Sequence, residues 1–301
     1  MTVSSQSKQN PTPKPSPGRL AFSAEDYPGI DPEWVRLWNE HGGSMVRADE
    51  VSIAEYRKSP AQYGFTHPTH SGPEVFHVKD CQIPVTRPAG KINVSIYSPE
   101  GPGPFPVHLN FHGGKLSPMI SISNKIPAKQ PGAATSATNP NIKVIDVDYR
   151  MGPEHKFPAA IYDCWDAVKW AIKSASHLNI DPSSVSFGGL SAGGQMSAVL
   201  AHFARDEGIP STHWILTPVL APNFENLPPA HVVTAEFDLE RDEEEYYGNL
   251  LRQAGNKVTM KRYAGVPHAF AHYNHPERGL SKSFEFIEDT TELLRVVHYG
   301  E

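Results

Sequence analysis

The stretch VSFGGLSAGGQMSAVLAH, residues 185–202, reads as a strand, a glycine turn and a helix, with one serine, Ser191, at the bend. Gly189-Leu190-Ser191-Ala192-Gly193 has the form G-x-S-x-G. From composition alone such a run turns up in about one in ten chains of this size, so its weight comes from its setting. It follows a β-run and opens a helix of small residues, which is what a nucleophile elbow requires. In that turn the serine backbone is strained, only glycines fit around it, and the hydroxyl is lifted above the sheet edge. The helix N-terminus behind it offers the Ala192 N–H and a partial positive charge to an oxyanion. The plainer reading is a small residue filling a crowded turn.

A serine hydroxyl stays unreactive until a base takes its proton, and that base needs an acid to orient it. In this architecture the chain order is serine, then Asp or Glu, then His, each at the C-terminal end of a strand. Asp238 ends the strand pattern HVVTAEFD, and His268 closes the stretch KVTMKRYAGVPH in a loop. The rival acids have plainer roles: Asp242 and Glu243 fall in a first helical turn, where they complement the macrodipole, and Glu236 lies within the strand, read as buried against the sheet. His268, His272 and His275 stand at i, i+4 and i+7 and invite a metal reading. There is no H-E-x-x-H pattern and no Cys or carboxylate at ligand spacing, so no metal is expected, and His272 and His275 are read as surface residues.

Outward from these residues the chain alternates apolar runs with helical patterns. PEWVRLW sets Trp34, Val35 and Trp38 on one helical face with Pro32 in the first turn. EVFHVKDCQIPV and KINVSIYSP read as an antiparallel pair of strands. PVHLNFHGG, IKVIDVDYR, SSVSFGGLS, THWILTPVL, PAHVVTAEFD and NKVTMKRYAG read as further strands. Helices are expected over FPAAIYDCWDAVKWAIKSA, with Ala160, Cys164, Val168 and Ala171 as its stripe, over RDEEEYYGNLLRQAG with Gly255 as its C-cap, and over SKSFEFIEDTTELLRVV. Strand–helix alternation of this kind argues for an α/β fold, a mostly parallel sheet covered by helices on both faces.

At 301 residues, with 39% hydrophobic and 20% charged residues, the composition is that of a soluble globular chain. A net charge of −6 gives no reason to expect a nucleic-acid partner. The two cysteines, Cys81 and Cys164, read as free structural thiols. Residues 1–22, rich in Pro, Ser, Lys and Gln, read as a disordered tail without the apolar core of a signal peptide or membrane anchor, which leaves a cytoplasmic protein as the expectation. Residues 23–301 are then the folded domain, with 23–70 as a candidate cap contribution.

Several blocks resemble the hormone-sensitive-lipase branch of the α/β-hydrolase fold. NFHGGK resembles its H-G-G-G loop and DYRMGPEHKFPAAIYD its D-Y-R-x-x-P-E-x-x-F-P-A-A segment. LPPAHVVTAEFDLERDE and YAGVPHAF resemble its acid and histidine stretches, and the blocks occur in the family's order over about residues 74–298. The resemblance implies Ser191, Asp238 and His268 as catalytic residues and Gly113, Gly114 and Ala192 as oxyanion-hole donors. It further implies a small-molecule ester substrate, carboxylesterase chemistry without a cofactor, and pairing into a homodimer. His112 is read as bracing the glycine turn, and Asp148, Arg150 and Glu154 as a buried polar network.

Two places depart from the family pattern. Lys115 stands where a third glycine is expected and opens a polar segment of about 26 residues, long for a loop in a compact domain. From Ser191 to Asp238 the chain runs only 47 residues, which implies a reduced cap and a more open pocket. These departures keep two alternatives in view: a non-hydrolytic cyclase or lyase of secondary metabolism on the same fold, and a catalytically impaired family member.

Overall fold

The computed structural model describes residues 21–42, 51–52, 55, 77–114, 141–206, 217–275 and 279–300. Among these residues there are seven strands: β1 (His77–Thr86), β2 (Ala89–Ser98), β3 (Phe105–Phe111), β4 (Lys143–Asp148), β5 (Ile180–Gly189), β6 (Ala230–Phe237) and β7 (Val258–Pro267). The α-helices are α1 (Pro32–Leu37), α2 (Ala159–Lys173), α3 (Ala175–Leu178), α4 (Ala192–Asp206), α5 (Arg241–Gln253) and α6 (Ser281–Tyr299). Five strands form one sheet in the order β1-β2-β4-β3-β5, and β6 and β7 form a second pair. β1 and β2 are antiparallel, as is the β2–β4 pair, whereas β3 lies parallel to both β4 and β5, and β6 to β7. Parallel pairings therefore predominate, as the strand–helix alternation implies.

Strand periodicity sorts the core. Val107, Leu109 and Phe111 of β3 point to one face together with Ile145 and Val147 of β4, and α2 and α4 cover them with Ile161, Cys164, Val168, Met196, Leu200 and Phe203. The expected stripe of α2, Ala160, Cys164, Val168 and Ala171, is buried. Each large side chain so enclosed contributes about 1.5–3 kcal/mol. The intervening residues face the opposite way, where Leu294 of α6 packs on Tyr97 and Val144. Here His298 of α6 lies 2.8 Å from both Ser184 Oγ and Ser186 Oγ, and Ser186 Oγ lies 2.9 Å from His108 Nδ1. Helices thus cover both faces.

A second cluster unites the N-terminal segment with the ends of β6 and β7. Ile30, Trp34 and Leu37 pack against Ala235, Tyr263, Val266, Phe270 and Leu280. Asp31 caps α1 by accepting the Glu33 N–H at 2.8 Å. Glu33 in turn accepts from the Ser281 amide and hydroxyl, both at 3.0 Å. Phe22, assigned to the tail from sequence, stacks on Tyr27 and exchanges two hydrogen bonds with Asn39. Residues 1–20 of the expected tail, and most of the candidate cap beyond Gly42, lie outside the described residues.

Two expectations are corrected. The last three residues of THWILTPVL, expected as part of a strand, instead form a 3₁₀ turn, Pro218–Leu220; residues 207–216 lie outside the described set. Pro218 has no N–H to give a ladder, and its fixed φ suits the first position of such a turn. The polar network also differs. Asp148 is exposed and accepts from Asn93, and Glu154 is exposed. Arg150 instead forks onto Asp163 of α2, with Nε–Oδ2 at 2.8 Å and Nη2–Oδ1 at 2.7 Å. Asp163 is fully buried and also accepts the Arg150 amide. Helix α2 returns its first turns to the end of β4, which is how an aspartate thirteen residues further on becomes the partner.

Candidate active site

The turn between β5 and α4 holds Ser191 at φ +56°, a left-handed conformation that side chains rarely adopt. Two backbone bonds lock it there: the Gly193 N–H donates to Leu190 O at 2.9 Å and the Gln195 N–H to Ser191 O at 3.0 Å. β3 ends directly against this turn. A Cβ on Gly189 would lie 2.1 Å from the Phe111 carbonyl oxygen, and one on Gly193 1.9 Å from the same atom. The flanking glycines are what allow the strand and the turn to meet.

β6 delivers Asp238 and β7 delivers His268 to the same place. His268 Nε2 is 3.0 Å from Ser191 Oγ, and His268 Nδ1 is 2.6 Å from Asp238 Oδ2. An ionised carboxylate only accepts, so Nδ1 carries the proton and Nε2 presents its lone pair to the serine hydroxyl. The Glu240 amide donates to the other carboxylate oxygen, Oδ1, at 3.0 Å, so both oxygens of Asp238 are held. The Asp238 side chain is 7% exposed and that of His268 41%. Glu244, one turn into α5, is half-buried beside them and is pushed up to about 7 by burial and then by the charges of Asp238 and Glu240.

The rival acids stand elsewhere. Asp242 is exposed and pairs with Arg241, and Glu243 is exposed in the first turn of α5. Glu236 is half-buried with its Oε2 accepting the Gly265 N–H at 2.6 Å, a contact with no signal in strand patterning. His272 and His275 are half-buried, which differs from the surface placement expected of them. Among the described residues, the ligand-capable set within 4.8 Å is Asp238, Glu240 and His268. A cation there would have to replace the His268–Asp238 contact.

Gly113 runs alongside the elbow: a Cβ on it would sit 3.0 Å from Leu190 O and 3.5 Å from Ser191 Cβ. Gly114 follows at φ +146°, open to glycine. His112 braces this turn. Its Nδ1 lies 2.9 Å from Gly113 O, its ring stacks on Tyr149 at 4.2 Å, and the Tyr149 hydroxyl donates to His112 O at 2.6 Å. Ala192, the third expected donor, is the first residue of α4. Lys115 and the segment after it lie outside the described residues.

Strand order, elbow and histidine loop define an α/β-hydrolase, and the family model for the alpha/beta hydrolase fold matches residues 108–218 and 208–272. The chain belongs to this family. It is 31% identical to an AB hydrolase superfamily protein of Schizosaccharomyces pombe, over 91% of this chain and 97% of that one. It is 28% identical to the carboxylic ester hydrolase LipN of Mycobacterium tuberculosis, over 66% of each chain. The ester hydrolase EH1AB1 from the metagenome of Lake Arreo, solved with a bipyridine phosphonate derivative, superposes with a TM-score of 0.77 at 26% identity, covering 90% of this chain and all of that one. The resemblance read from the sequence blocks is borne out.

Proposed function

We propose that this protein is a serine carboxylic-ester hydrolase acting on small or natural-product esters. The observation that carries the reading is the single imidazole, His268, in hydrogen-bond contact with Ser191 on one side and Asp238 on the other. The relatives named as ester hydrolases agree with it.

The reaction follows from the proton positions. Ser191 Oγ attacks the ester carbonyl as His268 Nε2 takes its proton, and the resulting imidazolium is stabilised by Asp238. Negative charge develops on the carbonyl oxygen, where the amides of Gly113, Gly114 and Ala192 are the proposed donors; each such donor is worth roughly 2.7–4 kcal/mol. His268 returns the proton to the departing alcohol, leaving an acyl-serine. Water, deprotonated by the same imidazole, then releases the carboxylic acid. Every step uses groups of the chain and water.

Hydrolysis of p-nitrophenyl acetate and butyrate by the purified protein, with Ser191→Ala as control, tests the reading. A wild-type rate no higher than that of the Ala variant overturns it.

A further inference from the structure

The β6–β7 ladder changes register just before it delivers the acid and the histidine. Along Ala230–Ala235 each β6 residue pairs with the β7 residue 28 positions later, as His231 does with Thr259. Past the irregularity after Ala235, Phe237 pairs with Pro267, and the offset becomes the 30 positions that separate Asp238 from His268. Had the first register continued, Asp238 would face Val266, and His268 would face Glu240. The two extra residues form a bulge in β7 around Ala264 and Gly265.

Parallel pairing leaves a bulge's backbone groups without ladder partners, and such groups must be satisfied elsewhere. Here three of them find specific partners. The Gly265 N–H donates to Glu236 Oε2 at 2.6 Å, and Gly265 O accepts from the Asp31 N–H at 2.8 Å. Ala264 O accepts from Lys282 Nζ at 2.7 Å, and Lys282 also pairs with Asp31. Gly265 stands at φ +72°, and a Cβ there would lie 2.8 Å from the Asp31 amide nitrogen, so no side chain fits. Glu236 is the residue of β6 at the register change, and the Arg241 guanidinium holds its carbonyl at 2.5 Å.

We propose that Glu236 is a positioning residue for His268: its carboxylate stands in for the missing ladder acceptor, holds the bulge, and so keeps the imidazole in register with Asp238. Its carboxylate hydrogen-bonds the Gly265 N–H, and it acts on His268 through that backbone. Three elements meet at this bulge, the N-terminal segment at Asp31, the last helix at Lys282 and β6 at Glu236. Of the three, only Glu236 lies on the strand that also carries the acid.

This inference rests on the esterase reading for its kinetic consequence but not for its spectroscopic one. Glu236→Gln retains an acceptor oxygen of the same reach, whereas Glu236→Asp is one methylene too short and Glu236→Ala has none. Misplacing a catalytic group by about 1 Å can cost up to ~100-fold in rate. Expected in p-nitrophenyl butyrate hydrolysis is a kcat within about threefold of wild type for Gln, and a kcat reduced by ~10- to 100-fold for Asp and Ala with KM little changed. In proton NMR, the low-field Nδ1–H signal of His268 should persist in the Gln variant and be lost or broadened in the Asp variant. Should Glu236→Ala fail to fold, the Asp variant carries the comparison, its fold checked by circular dichroism. Wild-type kcat in the Asp variant, or an equal loss in Gln and Asp, overturns the inference. A wild-type protein with no esterase activity overturns the functional reading instead, and the NMR comparison then decides this one.

Discussion

The Phe111 carbonyl oxygen occupies the place where a side chain on Gly193 would begin: a Cβ there would be 1.9 Å away. Backbone cannot yield as a flexible side chain does, so Gly193→Ala should destabilise the fold by about 3 kcal/mol or more. Gly255, at φ +85° with nothing within 4 Å of an added Cβ, is the control. Gly255→Ala should cost only about 1 kcal/mol, the strain of the left-handed backbone. Urea unfolding of both variants checks the contrast, and equal midpoints would contradict it.

Ser191→Ala and Asp238→Asn should separate the proposed nucleophile from the proposed orienter. The first removes the attacking atom and should lower kcat by about 10⁴-fold or more. The second keeps the shape but permits the wrong imidazole tautomer, for an expected loss of about 10³–10⁴-fold. Glu243→Gln, at an exposed position in the first turn of α5, should stay within twofold of wild type by the same assay, since such surface changes are about neutral.

Acid should weaken the attachment of the last helix. His108 is pushed down to about 4 by burial and then by the nearby His298, and burial lowers His298 as well. The folded protein therefore holds these imidazoles neutral while an unfolded chain would protonate them near 6.5. Their contribution is intact above about pH 6.5 and is lost as the pH falls from there toward 4, up to about 3 kcal/mol for His108. Thermal melts at pH 8, 6 and 5 should show a falling Tm, and His298→Gln should reduce the slope.

Arg150 and Asp163 form a buried bidentate pair, and removing one partner leaves the other charge unpaired. Asp163→Ala should cost about 3–5 kcal/mol in stability. Arg150→Lys should fall short of rescue, because an ammonium cannot reproduce the fork. Chemical denaturation reads both.

Features set by local chemistry were legible in the residues. Strand alternation in HLNF, the small-residue start of α4 and the glycines about Ser191 are dictated by near neighbours, and each is found where the pattern places it. Pro218, with no N–H for a ladder and a fixed φ, opens a 3₁₀ turn at the end of a run that apolar content had suggested as strand. Asp163 lay inside the block that resembles the family, yet its pairing with Arg150 depends on how α2 docks on the sheet, which no local pattern encodes.

Serine, aspartate and histidine, their order and the kind of turn that holds the first of them can all be written from the amino-acid string, because they follow from residue type and short-range geometry. Which carboxylate meets which imidazole cannot. Glu236, Asp238 and Glu240 alternate along one segment, and the choice among them is made by the register of β6 against β7, shifted by two residues at a bulge whose loose backbone groups are tied by Asp31, Glu236 and Lys282. Register is a property of two strands and of everything packed upon them, so only the assembled tertiary structure decides it.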